Sequence, residues 1–196
     1  IVKEISIAIH RMQESIMTSE AEVEKLWFSS VSHLRIRESY SLELQKVIYE
    51  RMGYPSNRGG FEKDMSEFLD RDADVQRFLK ISESQHRFAS IFYLREDGLL
   101  ASYHPDFIVA TEDKIYILET KSNRDIKEAN VRHKRIASIE WCKKINQLKP
   151  EDRMDREWEY LLLSEDNFYG LYHSGATFKD MANRSKVSLS GLTGDL

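Results

Sequence analysis

Apolar residues at Phe61, Met65, Phe68 and Leu69 follow an i, i+4, i+7, i+8 spacing, which predicts a helix with one buried face. Further along, the period shortens. The stretches 88–94, 99–110 and 114–120 are rich in Ile, Val, Leu and aromatic residues and read as a three-stranded meander, with Asp97-Gly98 as its first turn. Ile136, Ile139, Trp141, Ile145 and Leu148 mark a second core helix, and 158–163 a closing strand. The two central strands are apolar at consecutive positions, as expected where helices cover both faces of a sheet. The pattern therefore predicts an α/β domain of order αβββαβ.

The first sixty residues carry weaker signals. Ser19 with Glu22 matches a capping box and predicts a helix over 20–35. Leu42, Leu44, Val47, Ile48 and Met52 suggest a second helix, closed by Gly53 and Pro55. Residues 1–17 fit either a helix or a strand. The segment 54–60, with Pro, Ser, Asn and paired Gly, reads as a linker. The expected organisation is a helical extension over 1–57 followed by a main domain over 58–196.

One hairpin concentrates the candidate chemistry. Two apolar runs, 107–110 and 115–118, flank the polar turn at Glu112-Asp113. A turn centred there sets Val109 opposite Tyr116 and Asp106 opposite Glu119, with Cβ atoms roughly 4.5–5.5 Å apart on one face. Lys121 lies two residues beyond Glu119 on that same face. Two carboxylates held so close cannot both ionise cheaply, so one proton is retained or a cation sits between them. Mg²⁺ takes one or two protein carboxylates and keeps several waters, which suits this pair. A lysine beside such a metal can hold a phosphate or orient a water, and that is the chemistry of phosphodiester hydrolysis.

Composition narrows the reading. The 196 residues suffice for one sizeable core plus an appendage. The single cysteine, Cys142, excludes an internal disulfide and fits a reducing compartment. No apolar run approaches the roughly 20 residues of a membrane span. The chain opens at Ile1, which reads as a fragment of a longer protein. The net charge of −4 argues against nucleic acid, but its distribution argues for it: residues 114–149 hold ten Lys and Arg against four Asp and Glu. This basic excess begins at the hairpin and continues along the next helix, where DNA phosphates would lie. A solvated helix face explains the same charges without DNA.

Pro105-Asp106 followed by Glu119-Thr120-Lys121 resembles the PD…(D/E)xK signature of restriction-endonuclease-like enzymes. More narrowly, Tyr103-His104-Pro105-Asp106-Phe107 with Glu119-Thr120-Lys121-Ser122 resembles the C-terminal nuclease domain of type III restriction enzymes. Phe61 to Lys80 resembles that family's first helix and following strand, and Asn130, Val131, Lys134, Ala137 and Trp141 its next helix. The likeness extends over residues 58–175. Ser122 departs from the Gly or Ala common at that position in the family.

The resemblance implies a restriction-endonuclease-like αβββαβ core and a Mg²⁺-dependent endodeoxyribonuclease, with Mn²⁺ as a substitute. Asp106, Glu119 and the Thr120 carbonyl would bind the metal, and Lys121 would align water or phosphate. It further implies double-stranded DNA as substrate, a methyltransferase (specificity) subunit as partner, and a bacterial or archaeal cytoplasmic location. ATP would enter only through an upstream motor, since this chain lacks a G-x-x-x-x-G-K-[ST] loop. Glu62 either completes the metal site or is an ordinary exposed helical glutamate. Lys134 either meets phosphate or forms a structural ion pair. Arg124, Lys127, Arg132 and Arg135 are the remaining candidates for DNA contact. The alternatives are another nuclease of the superfamily, of repair or junction-resolving type, and a noncatalytic docking domain of the same fold.

Overall fold

The computed structural model describes residues 2–15, 23–56, 60–123 and 129–190. Its centre is a four-stranded mixed sheet built from β3 (Arg77–Lys80), β6 (Phe107–Ala110), β7 (Lys114–Lys121) and β8 (Glu157–Ser164), in the order β3-β6-β7-β8. β6 runs antiparallel to β3 and β7, while β8 is parallel to β7. A parallel neighbour requires a crossover, which α3 (Ala129–Asn146) supplies.

Alternate strand residues feed two cores. Phe107, Val109, Tyr116, Leu118, Leu161 and Leu163 pack on one side with Phe61, Met65, Phe68 and Leu69 of α2 (Gly60–Arg71). Phe168 of α4 (Glu165–His173) and Phe178 and Met181 of α5 (Phe178–Ser190) join the same cluster. Ile117, Tyr160 and Leu162 face the other way, against Val131 and Cys142 of α3. Burial pushes the Cys142 thiol up to about 12, so it is a packing residue rather than a nucleophile.

The hairpin register is the expected one, with Val109 opposite Tyr116 and Phe107 opposite Leu118. The Thr111 N–H donates to the Lys114 carbonyl at 2.8 Å, and the Thr111 hydroxyl accepts from the Lys114 N–H at 3.1 Å, closing the two-residue loop.

Elsewhere the meander differs. The stretch 99–110 is broken at His104-Pro105-Asp106 into β5 (Leu100–Tyr103) and β6. Proline cannot donate to a ladder, and the chain changes sheets there. Among the described residues β5 pairs with β4 (Ile91–Leu94) alone, as a separate hairpin turning at Gly98, whose φ of +76° favours glycine. The first strand of the central sheet is instead β3.

Among the described residues of the N-terminal segment, the α-helix is α1 (Val2–Ser15), which packs on β4 and β5. The capping pair Ser19 and Glu22 lies outside the described residues. Residues 23–37 do not form the expected helix but an extended chain with one 3₁₀ turn, Phe28–Ser30. The helix expected over 42–52 is replaced by β1 (Ser41–Glu43) and β2 (Arg51–Gly53), which pair Leu42 with Met52. Tertiary partners satisfy the backbone between them. Asp70 Oδ1 accepts from the Gln45 and Lys46 N–H groups at 2.7 and 2.8 Å, and the Lys46 carbonyl accepts from Phe78 N–H. Met52 is buried in the same cluster as α2 and β3, so burial and long-range bonding override the local helical pattern.

His86 is fully buried and ties this segment down. Its Nδ1 accepts from Ser82 N–H at 3.0 Å, which makes Nε2 the donor to Tyr49 Oη, also at 3.0 Å; Tyr49 then donates to the Phe28 carbonyl at 2.9 Å. Burial, with His104 nearby, lowers the His86 pKa. Above about pH 6.5 the ring is neutral in both folded and unfolded chains. As pH falls below that value the unfolded chain takes up a proton that the folded one refuses, so stability declines until the folded ring also titrates. Urea unfolding from pH 7 to 5 should therefore show a loss whose slope is reduced in His86→Gln; equal slopes would remove His86 from this account.

Candidate active site

The ends of β3, β6 and β7 meet at one end of the sheet. Asp106 immediately precedes β6, and its Oδ2 accepts from both the Thr120 N–H and the Thr120 hydroxyl, each at 2.7 Å. These bonds clamp the carboxylate to β7 and leave Oδ1 outside them. Glu119 sits on the same strand with only 3% of its surface exposed. Its Oε1 pairs with Lys121 Nζ at 2.7 Å, while the buried Oε2 has no hydrogen-bond partner. Native proteins seldom leave a buried polar atom in that state.

The electrostatics follow from burial. Desolvation first, and Asp106 second, push the Glu119 carboxyl up to about 7, although Lys121 and Lys134 act in the opposite direction. Burial alone would lower the Lys121 ammonium, but Glu119, Asp106 and Glu62 more than offset it and hold it above its ordinary value. The pair is unsymmetrical because the lysine reaches toward water and the glutamate does not. Near neutral pH the site thus holds a carboxyl poised between its two states beside a fixed cation.

Glu62 lies in the first turn of α2 and contacts Lys80 Nζ at 2.5 Å through Oε2. Lys80 also stands over the Phe107 ring, 5.3 Å from its centroid. Glu62 therefore acts on Lys121 through space and is paired with Lys80 of β3. Lys134 carries its ammonium over the Tyr103 and Tyr93 rings, at 5.0 and 5.7 Å, where it helps to stabilise ionised Glu119. Beneath it the Tyr103 hydroxyl bonds to Ser138 Oγ, which in turn donates to the Lys134 carbonyl at 2.8 Å.

Of the other basic residues, Arg132 is exposed on α3. Arg135 is half-buried beside Tyr160, with its Nε unpartnered and its pKa lowered by burial. Arg124 and Lys127 lie outside the described residues. The structure thus brings Asp106, Glu119, Thr120 and Lys121 together, with Lys134 and Glu62 in a second ring around them. Sequence reasoning missed the Thr120 hydroxyl, the Tyr103–Ser138 support and the Lys80–Glu62 pair. Lys80, a lone cation closing the apolar run Phe78-Leu79, was the available signal for the last.

No group of three or more His, Cys, Asp or Glu side chains gathers in a metal-binding arrangement among the described residues. Two carboxylates, Asp106 and Glu119, stand together there instead. The unpartnered Glu119 Oε2, beside the Asp106 carboxylate and at the end of the Thr120 strand, fits a hard divalent cation that retains several waters. Comparison with family models, with curated proteins and with solved structures finds no match. No helix among the described residues is long and apolar enough to cross a membrane.

Proposed function

We propose that this site hydrolyses phosphodiester bonds in DNA with a divalent cation, as the nuclease domain of a restriction-endonuclease-like enzyme. The single observation that carries the reading is the buried, half-unpartnered Glu119 held between Asp106 and Lys121. The element order supports it: α2, β3, β6, β7, α3, β8 matches αβββαβ, with β4-β5 as an insertion. The more particular proposal is the endonuclease domain of a type III restriction subunit, acting on double-stranded DNA with a methyltransferase partner. That proposal rests on the run from Tyr103 to Phe107 and on Glu119-Thr120-Lys121.

Asp106, Glu119 and the Thr120 carbonyl would hold Mg²⁺ or Mn²⁺, which supplies a more acidic water and charge stabilisation at the phosphate. Thr120 keeps the Asp106 carboxylate in one orientation. Lys121, protonated and braced by Glu119, orients the attacking water or the phosphate oxygen. Lys134 adds positive charge behind Glu119 and favours its ionised, ligating form.

Supercoiled plasmid should be nicked in Mg²⁺ or Mn²⁺ and not in EDTA, with Mn²⁺ binding followed in parallel by calorimetry. A folded wild-type protein that neither binds Mn²⁺ nor nicks DNA would sink the reading.

A further inference from the structure

On the nuclease reading above, we propose that a cleft beside the active site, between residues 34–56 and the end of β3, binds the DNA backbone flanking the cleaved phosphodiester, with Arg35 and Arg37 as its phosphate contacts. The cleft has a volume of about 340 Å³ and is lined by three cations, Arg35, Arg37 and Lys80, and by no carboxylate. In a chain of net charge −4 that is a local reversal. Lys80 is paired with Glu62, but Arg35 and Arg37 are exposed and their side chains make no ion pair among the described residues. Both arginines line the cleft, and an unpaired guanidinium offers the fork geometry that phosphate oxygens accept.

Two contacts brace one wall of the cleft. The Arg35 N–H donates to Gln85 Oε1 at 2.7 Å, and Ile36 rests against Gly53, where an added Cβ would come within 3.0 Å of its Cγ2. Arg35 and Arg37 flank Ile36 along this segment and line the same cleft. Tyr40 and Tyr54, edge to face with centroids 5.9 Å apart, form an apolar wall suited to a sugar or base. The cleft also adjoins the candidate site directly. Lys80 meets Glu62, and the N–H of Ile81, a lining residue, donates to the Asp106 carbonyl at 2.8 Å. A strand seated there would therefore lead its next phosphate toward Asp106 and Glu119.

The test is binding of a fluorescein-labelled duplex by anisotropy in EDTA, across a salt series. Arg35→Gln with Arg37→Gln should weaken binding about tenfold at low salt and make the log–log salt slope shallower by about 2, since each phosphate contact contributes roughly 0.9. Arg35→Lys with Arg37→Lys should retain most of the slope. Arg77→Gln with Lys179→Gln removes the same charge from the opposite end of the sheet, where Arg77 pairs with Ala110 and Lys179 meets Asp113, and should change little. An unchanged slope in the Arg-to-Gln variant, or an equal loss in the Arg77/Lys179 control, would overturn the cleft as the binding site. Plasmid nicking separates this from the nuclease reading. Cutting that depends on Glu119, with no binding defect in the arginine variant, removes the cleft alone. A binding defect in that variant, with cutting indifferent to Glu119, removes the assigned catalytic site and keeps the cleft.

Discussion

Glu119→Gln should lower metal-dependent cleavage by at least about a thousandfold, because several kcal/mol of transition-state stabilisation depends on a metal held there. The same change should make the metal-free protein more stable at alkaline pH. Burial and Asp106 raise the Glu119 carboxyl to about 7 from its ordinary 4.5. Below the ordinary value the group is protonated in folded and unfolded chains alike and costs nothing. Between the two values the unfolded chain gives up a proton that the folded one keeps, so stability falls as pH rises, and above about 7 the whole cost is present. At about 1.4 kcal/mol per unit over the interval from 4.5 to about 7, glutamine should recover roughly 3–3.5 kcal/mol at pH 8 and almost nothing near pH 4.5. Urea unfolding in EDTA at the two pH values measures this directly. Equal stabilities at pH 8 would mean that Glu119 is not an uncompensated charge. Added Mn²⁺ should stabilise wild type and leave Glu119→Gln unmoved.

Asp106→Ala should abolish cleavage with the opposite effect on stability. It strips the acceptor from the Thr120 N–H and hydroxyl together, and leaving such donors unsatisfied costs about 1–3 kcal/mol. It also removes the negative charge that helps to hold the Glu119 carboxyl up, so the alkaline loss of stability should be smaller and complete at lower pH. Asp106→Asn separates the two roles. Its amide oxygen can still accept from Thr120, so the fold should keep most of its stability, while the lost charge should still abolish Mn²⁺ binding by calorimetry and nicking in the plasmid assay. An Asn variant that cuts at the wild-type rate would leave Asp106 as a structural clamp only.

These paired effects arise because function and stability compete at one end of the sheet. Fold stability favours neutralising a carboxylate buried at the end of β7, whereas cation binding favours keeping it ionised. Lys121 and Lys134 moderate the conflict without removing it, since burial and Asp106 still dominate at Glu119.

The hairpin was legible because its information is local. An even-length polar turn between two apolar runs sets the register, and register alone brings Asp106 and Glu119 to neighbouring positions with Lys121 on the same face. The buried face of α2 was legible for the same reason, since Phe61, Met65, Phe68 and Leu69 repeat with the period of the helix. Helices on both faces of the sheet followed from the unbroken apolar character of β7. Long-range pairing was not legible. Leu42, Leu44, Val47, Ile48 and Met52 have helical spacing, yet Asp70 and Phe78 take up the backbone groups that a helix would have used internally. The run at 91–94 has strand composition, but only packing assigned it to a side hairpin and gave the sheet edge to β3.

The sequence by itself thus determined which residues carry the candidate chemistry and which neighbour each has along the hairpin, because side-chain alternation and turn length are properties of adjacent residues. Tertiary structure decided how those groups are charged and braced. The depth at which Glu119 is buried, the Thr120 clamp on Asp106, the tyrosines under Lys134 and the arginine-lined cleft beside Lys80 all depend on segments distant in the chain coming together. Burial and Coulomb energy are set by that assembly rather than by any local pattern.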